Sequence, residues 1–213
     1  MWDDFIDLKE ELYNTFTFFN ELPVHDHQPD LGHYNYFWKS TNLDMGHISV
    51  VDKRESHSVW MMHVNAYSKG NYPMPIYGFD VVCGKNKVTG CFHDISPTGY
   101  NDFPVHNGFE ETKRRELPDW AKEIFSEGMV AAGNVKQADE LGELINIGAS
   151  NLMTWHEVLN SLEETKPEHY YDNARKKYCQ NQLMNPHSFA VMVKLGFPED
   201  YLRNFKMNKQ FPY

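Results

Sequence analysis

Residues 34–94 alternate between short extended runs and turn-forming residues, and this rhythm constrains the fold more than any other part of the sequence. The runs are rich in β-branched and aromatic side chains and are bounded by Gly, Asn, Pro or charged residues, which predicts strands joined by tight turns. Strands connected this closely run antiparallel, so we expect a meander. The five runs are YNYFWKS, HISVVDK, SVWMMHVNAY, IYGFDVVC and KVTGCFHDI.

The segments on both sides of these strands have helical periodicity. Residues 2–20 repeat apolar side chains at helical spacing after an acidic first turn, which the helix dipole favours. After Pro97, several segments show the same periodicity. Helix, sheet and helices in this order predict an α+β fold, a three-layer α/β/α sandwich whose central antiparallel sheet has helices on both faces. At 213 residues, we expect one domain over residues 1–213.

Composition and motifs exclude several classes of protein. The formal net charge of −10 argues against nucleic-acid binding, which needs a broad basic surface to neutralise phosphates. No apolar run is long enough for a membrane span, and the acidic start MWDDFIDLKEEL is unlike a targeting segment, so we expect a cytoplasmic protein. Cys83, Cys91 and Cys179 form no CxxC pair, which fits a reducing compartment. GxGxxG, GxxxxGK[ST], GxSxG and HExxH are also absent.

Alternation within the strands predicts which side chains share a face of the sheet. If the dipeptide KN at residues 85–86 forms a two-residue turn, Phe79 falls on the same face as Phe92 and Asp94. Asp80 and His93 then fall on the opposite face. Aromatic residues make up 15% of the chain, so we expect Asp94 to lie among rings that can bind a flat ligand.

Two titratable residues stand out in these strands. His63 is polar within an otherwise core-like run, and we expect it to join Asp94 on one face. Either residue alone is most simply explained as a hydrogen-bonded core residue. Two such groups that converge on an aromatic pocket point instead to proton transfer.

The histidines of HDHQPDLGH raise the separate possibility of a metal site. His25, His27 and His33 are close in sequence, and short His-rich tracts bind metals. No acidic or cysteine partner recurs at ligand spacing, however. We therefore favour a polar loop and expect no bound metal.

Residues 60–98, WMMHVNAYSKGNYPMPIYGFDVVCGKNKVTGCFHDISPT, resemble the central sheet of the ferredoxin-dependent bilin reductases, especially the phycocyanobilin-forming members. The histidine, the P-[LI]-[FY]-G-x-D block and the D-[LI]-S-P-T ending align without a gap. LPDWAKEIFSE, YCQNQLMN and LGFPEDYLRNF agree as well, so the resemblance extends over most of the chain from about residue 44 onward.

The resemblance implies a specific chemistry. Members of the family hold biliverdin IXα between the sheet and the C-terminal helices. They use no metal or flavin, accept single electrons from a reduced [2Fe-2S] ferredoxin, and supply protons from the protein. We therefore expect a ferredoxin-dependent oxidoreductase that works through radical intermediates and has no cofactor of its own.

The resemblance also assigns roles to individual residues. It implies that Asp94 is the central aspartate that protonates the bilin and that His63 is its partner. Asn185 and Gln182 are implied to face the tetrapyrrole from the C-terminal side, and His47 to line the pocket.

Two departures from the family pattern bear on the substrate and product. Phycocyanobilin-forming members carry a glutamate shortly after the position of His47 and use it to reduce the D-ring vinyl group, but HISVVDK has none. Asp52 is the nearest carboxylate. An arginine that helps to hold a propionate is also missing, because GMVAAGNV carries no charge. Either another basic side chain neutralises that propionate or the propionate lies in water.

We therefore expect a four-electron reduction to phycoerythrobilin. The second most favoured outcome is reduction to phycocyanobilin, with Asp52 as a catalytic substitute for the glutamate. A two-electron product is the third. A non-catalytic bilin or haem carrier and a histidine-dependent metalloenzyme are the alternatives from other classes.

The expected protein partner is ferredoxin, which is acidic. A chain of net charge −10 needs local positive charge to attract it, although such clusters are most often only solvated surface. We expect a monomer that docks ferredoxin through one of two clusters: Lys113, Arg114 and Arg115, or Arg175, Lys176 and Lys177.

Overall fold

A single antiparallel sheet of seven strands, which follow one another in chain order, forms the centre of the protein. The computed structural model describes residues 2–85, 87–99, 116–117, 119–123, 125–126, 129–133, 135, 138–163 and 166–213. The predicted meander is confirmed, with one short strand added at each edge. The strands are β1 (Val24–His25), β2 (His33–Trp38), β3 (Leu43–Lys53), β4 (Val59–Ser68), β5 (Ile76–Gly84), β6 (Lys87–Ser96) and β7 (Val130–Ala132).

The longer helices precede or follow the strands along the chain, and two short helices lie between strands. A short 3-10 turn covers Pro29–Leu31, and a π-helix follows the last α-helix at Lys206–Gln210. In the part of the chain that the structure describes, no helix combines the length and apolarity that a membrane span requires. The α-helices are α1 (Trp2–Phe19), α2 (Arg54–His57), α3 (Asp119–Lys122), α4 (Ala138–Ser161), α5 (Asp172–Leu183), α6 (Pro186–Lys194) and α7 (Glu199–Phe205).

Helices α1 and α4 cover one face of the sheet. Phe5, Leu8, Leu12 and Phe16 of α1 repeat at helical spacing and are fully buried, as their periodicity predicts. They form the main hydrophobic core together with Trp155 of α4 and alternate side chains of the strands.

Helices α5, α6 and α7 cover the opposite face. Tyr178 of α5 packs near Tyr67 of β4, and Leu202 of α7 packs near Val51 of β3. With helices on both faces of one antiparallel sheet, the predicted α/β/α sandwich is confirmed.

A β-bulge in the hairpin of β5 and β6 corrects the prediction of which side chains share a face. Cys83 pairs with Val88, but Val82 pairs with Gly90, so Thr89 is an extra residue on β6. Its hydroxyl donates to the Val82 carbonyl oxygen at 3.0 Å. A bulge of this kind shifts all later pairs by one position and reverses the faces that simple alternation predicts.

The shifted register puts Phe79 on the wrong face for ligand binding. Phe79 pairs with His93, and both lie on the side covered by α4. The Phe79 side chain is fully buried, and a Cβ added at Gly148 of α4 would approach its ring to 2.7 Å. Phe79 is therefore a core residue, and its predicted place beside a substrate is wrong.

Phe79→Ala tests this correction through stability. Removing a fully buried ring leaves a cavity against α4, so the free energy of unfolding should fall by about 3 to 5 kcal/mol, measured by urea denaturation. Phe92→Ala is the control, because Phe92 is only half-buried and lies on the other face. Equal losses in the two variants would contradict the assigned faces.

Candidate active site

A cavity of about 1080 Å³ lies between the sheet and the C-terminal helices. Its volume is at the upper end of the range for small-molecule sites, which suits a large ligand. The strand wall comes from β2 to β6, and the opposite wall from the end of α5, from α6 and α7, and from the π-helix. Helix α3 and described residues next to it also line the cavity. Residues that line it include Ser49, His63, Asp80, Phe92, Gln182, Asn185 and Lys206.

A histidine and an aspartate meet in the strand wall. His63 of β4 and Asp80 of β5 are register partners, and His63 Nδ1 lies 2.6 Å from Asp80 Oδ1. The side chain of His63 is 14% exposed and that of Asp80 is 41% exposed, so the carboxylate is the more open of the two. At this distance the imidazole and the carboxyl group form a short side-chain hydrogen bond.

Asn65 determines how His63 is oriented. Its buried amide nitrogen donates to His63 Nε2 at 3.0 Å and lies 3.2 Å from the backbone oxygen of Gln210. Because Nε2 accepts this hydrogen bond, the proton of the neutral ring is on Nδ1 and points to Asp80. The ring edge of His63 also contacts Phe211, with centroids 5.4 Å apart. The pair is therefore held by the π-helix as well as by the sheet.

Asp94 lies on the same face of the sheet as His63, as predicted, but the hydrogen-bond partner of His63 is Asp80. The carboxylate of Asp94 is buried and accepts hydrogen bonds from Ser96 Oγ at 2.7 Å and from Ser126 Oγ at 2.5 Å, and also from the Ser126 backbone N–H. Burial raises the pKa of Asp94, while these hydrogen bonds act to lower it. Asp94 is not among the cavity-lining residues, and its contacts attach Ser126 to β6.

Sequence reasoning missed Asp80 because it assumed uninterrupted alternation through the hairpin. One signal for the bulge was present, since Gly90 stands inside a strand pattern and follows a polar residue. The same error assigned Phe92 to the face of Phe79. Phe92 nevertheless lines the cavity, because it is the register partner of Asp80 on the neighbouring strand.

His47 lies behind the cavity wall and does not line it, contrary to expectation. The ring is fully buried, stacks on Phe37 with centroids 4.3 Å apart, and has Nε2 3.1 Å from Asn35 Oδ1. Its Nδ1 has no hydrogen-bond partner among the described residues. Burial, with smaller effects from His63 and His33, lowers the pKa of His47 well below its usual value. His47 is therefore a neutral support for the strand wall.

Asp52 is directed away from the cavity. It is paired with Trp60 in the sheet, which places it on the face covered by α1. Arg54 donates to both carboxylate oxygens, at 2.9 and 2.7 Å, and these hydrogen bonds lower the pKa of Asp52. The predicted use of Asp52 as a substitute for the family's glutamate is therefore wrong in its geometry.

The cavity-facing position of β3 opposite His63 is Ser49. His33 joins this serine to α7, because His33 Nε2 lies 2.8 Å from Ser49 Oγ and His33 Nδ1 lies 2.7 Å from Tyr201 Oη.

Across the described part of the chain, no group of three His, Cys, Asp or Glu side chains is arranged to hold a metal ion. The rings of His25 and His27 contact each other, with their centroids 4.9 Å apart.

Two predicted residues on the helical side reach the cavity. Gln182 and Asn185, at the end of α5 and just after it, both line the wall opposite the strands. Lys206 lines the same wall, and sequence reasoning missed it because it falls in the π-helix, where helical periodicity gives no guide.

The second of the two predicted basic clusters is partly neutralised. Arg175 forms an ion pair with Asp44, and Lys177 lies 4.0 Å from Glu123. Lys176 lies over the ring of Tyr213 at 5.9 Å. The other predicted cluster is outside the residues that the structure describes: Lys113, Arg114 and Arg115.

Curated proteins share sequence with the chain, although no family model matches it, and two of them carry the same name. Phycocyanobilin:ferredoxin oxidoreductase of Prochlorococcus marinus (strain MIT 9515) is 24% identical over 172 residues, which cover 75% of this chain and 69% of that protein. The protein of the same name from Trichodesmium erythraeum (strain IMS101) is 27% identical over 153 residues, which cover 65% of this chain and 60% of that protein. The similarity thus spans part of each relative.

Two solved structures share the fold over almost the whole chain. PcyX superposes with a TM-score of 0.70 at 26% identity and 98% coverage of both chains. Tomato phytochromobilin synthase, solved in complex with biliverdin, superposes with a TM-score of 0.80 over 97% of this chain and 82% of that one. At 11% identity, the second likeness shows the fold alone.

Sequence and fold together define the class as an oxidoreductase built on this three-layer sandwich. The similarities in sequence and fold support a place for the chain in the ferredoxin-dependent bilin reductase family, as the resemblance of residues 60–98 predicted.

Buried neutral histidines make the fold sensitive to acid. Burial lowers the pKa of His33 and of His93 from 6.5 to about 4, so between these values the unfolded chain binds protons that the folded chain does not. Stability is complete above the unfolded pKa and falls with decreasing pH, by up to about 1.4 kcal/mol per pH unit for each histidine. Urea unfolding at about pH 7 and about pH 5 measures the loss. His93→Gln should reduce this pH dependence, and an unchanged dependence would contradict the role of His93.

Proposed function

We propose that the protein reduces biliverdin IXα to a phycobilin with electrons from a reduced [2Fe-2S] ferredoxin and without a metal or flavin of its own. The observation that carries the proposal is the His63–Asp80 pair in the strand wall of a cavity large enough for a tetrapyrrole. The names of the relatives support ferredoxin as donor and a bilin as substrate, and the tomato structure contains biliverdin.

The pair supplies protons as electrons arrive one at a time. Each electron added to a closed-shell conjugated tetrapyrrole produces a radical anion, and protonation by a nearby acid makes the next electron easier to add. Asp80, the more exposed member, is the group that faces the ligand, and His63 returns a proton to it. Reduction by four electrons consumes four protons, so the pair must be reprotonated between steps.

The hydrophobic surroundings support this chemistry. Phe92, Phe205 and Phe211 line the cavity around the pair. A flat ligand that fills the cavity excludes water from these surfaces, and exclusion of water strengthens the electrostatic interactions among the remaining polar groups. Reactive radical intermediates are protected at the same time.

Phycoerythrobilin is the product that we favour. Reduction of the D-ring vinyl group in phycocyanobilin-forming members relies on a glutamate after the position of His47. On β3, which is described throughout, the side chains on the cavity side at this point are Ser49 and Val51, and neither is acidic. Asp52 lies on the other face and is held by Arg54. Without an acid at this end of the cavity, the vinyl group remains unreduced.

Docking of ferredoxin through one of the basic clusters remains part of the proposal. Of the cluster that the structure describes, Lys176 is the member without a nearby carboxylate among the described residues. A local positive patch steers an acidic partner even when the net charge is negative.

Asp80→Asn tests the proton donor. The amide keeps the size of the side chain but does not supply the proton, so turnover should fall by about 10²- to 10⁴-fold. The assay is an anaerobic absorbance time course with biliverdin and regenerated ferredoxin, followed by HPLC of the products. Asp94→Asn is the matched control and should keep much of the turnover, because the hydrogen bonds of Asp94 within the described residues go to serines and backbone groups.

Three outcomes of this assay decide between functions. Loss of turnover in the Asp94 variant with retention in the Asp80 variant would overturn the assignment of the donor. Pigment that binds to the unaltered protein but is never reduced would favour a bilin carrier. Inhibition by chelators would favour a metalloenzyme.

Ser49→Glu tests the assignment of the product. A carboxylic acid placed on the cavity side of β3, across from His63, should shift the product from phycoerythrobilin toward phycocyanobilin, as measured by HPLC. Asp52→Asn should leave the product unchanged, because Asp52 is on the opposite face. Phycocyanobilin from the unaltered protein, lost in the Asp52 variant, would show that the favoured product is wrong.

A further inference from the structure

Lys206 is a buried cation in the wall of the cavity. It is the first residue of the π-helix and is only 8% exposed. Its Nζ donates to Ser188 Oγ of α6 at 2.5 Å and lies 5.8 Å from the centre of the Phe211 ring. Both Ser188 and Phe211 line the cavity as well.

No carboxylate neutralises this ammonium group within the residues that the structure describes. Asp80 is the charged neighbour that acts on it electrostatically, but Asp80 is hydrogen-bonded to His63 at 2.6 Å. Burial lowers the pKa of Lys206 to about 8, which still leaves most of the amine protonated at neutral pH. A buried and unpaired charge costs several kcal/mol, so an anionic group bound in the cavity would stabilise this ammonium.

Neighbouring cations differ from Lys206 in this respect. Lys209, one turn further along the π-helix, is exposed and pairs with Asp26 at 2.6 Å. Lys122, which also lines the cavity, is exposed and pairs with Asp119 at 3.1 Å. Among the described lysines of the cavity wall, Lys206 therefore combines burial with the lack of an ionic partner.

The local structure around Lys206 suits recognition of an anion. A π-helix has a wider turn than an α-helix, and such turns occur frequently at functional sites. Here the π-helix brings both Lys206 and Gln210 to the cavity. Ser188 accepts a hydrogen bond from Lys206, which leaves its own hydroxyl hydrogen to donate to a ligand. An ammonium, a hydroxyl and a carboxamide group together provide charge-assisted hydrogen bonds for a carboxylate.

We propose that Lys206, with Ser188 and Gln210, binds a carboxylate side chain of the substrate. This inference rests on the proposed function, because biliverdin carries two propionates. A propionate fixed at the helical wall would set which part of the tetrapyrrole lies over Asp80. Lys206 is thus a specificity-determining residue.

The test is a binding titration that does not depend on turnover. Biliverdin and its dimethyl ester are titrated separately, by absorbance, into the unaltered protein and into Lys206→Met, Lys206→Arg and Lys209→Met. Lys206→Met should weaken biliverdin binding by about 10- to 100-fold and leave binding of the ester unchanged, because only the acid offers a charged partner. Lys206→Arg should retain most of the affinity, and Lys209→Met should behave as the unaltered protein.

Removal of the ammonium should not prevent folding. An apolar side chain of similar length at a buried, unpaired position raises the melting temperature of the ligand-free protein, which circular dichroism measures. Ser188→Ala provides a second variant and should weaken binding of biliverdin more than that of the ester.

Different failures have different meanings. If Lys206→Met weakens both pigments equally, or neither, the carboxylate contact is wrong while the proposed reductase function stands. If the unaltered protein binds neither pigment, the proposed function fails and this inference fails with it.

Discussion

The hydrogen bond between His63 and Asp80 is the interaction on which the cavity side of the molecule depends. It joins the neighbouring strands β4 and β5 through their side chains, in addition to the backbone ladder. Asn65 fixes the other side of the His63 ring and reaches the backbone of Gln210. The strand wall and the π-helix are thereby held in one arrangement, with the carboxylate facing the space between them.

Charge around the cavity is distributed unevenly. His33 and His47 lie in or behind the strand wall and are kept neutral by burial. Lys206 on the opposite wall stays cationic and lacks an ionic partner among the described residues. An acid on one wall and a cation on the other suit a flat, anionic ligand whose rings take up electrons and protons. The two proposals thus describe opposite sides of the same cavity.

Predictions from the sequence succeeded where a pattern repeats and failed where one residue interrupts it. The helical spacing of Phe5 and Phe16 correctly placed α1 in the core, and the strand runs gave the meander. The extra residue Thr89 reversed the faces expected for Phe79 and Asp80. Alternation has a period of two, so one inserted residue moves every later side chain to the other face.

The sequence by itself determined the class of fold and indicated the family, because hydrophobic periodicity and a long gap-free resemblance are local properties of the chain. Only the tertiary structure decided that His63 pairs with Asp80, that Asp52 is directed away, and that Lys206 faces the cavity. These facts depend on strand register and on packing between segments far apart in sequence. Neither is encoded in the period of any one segment.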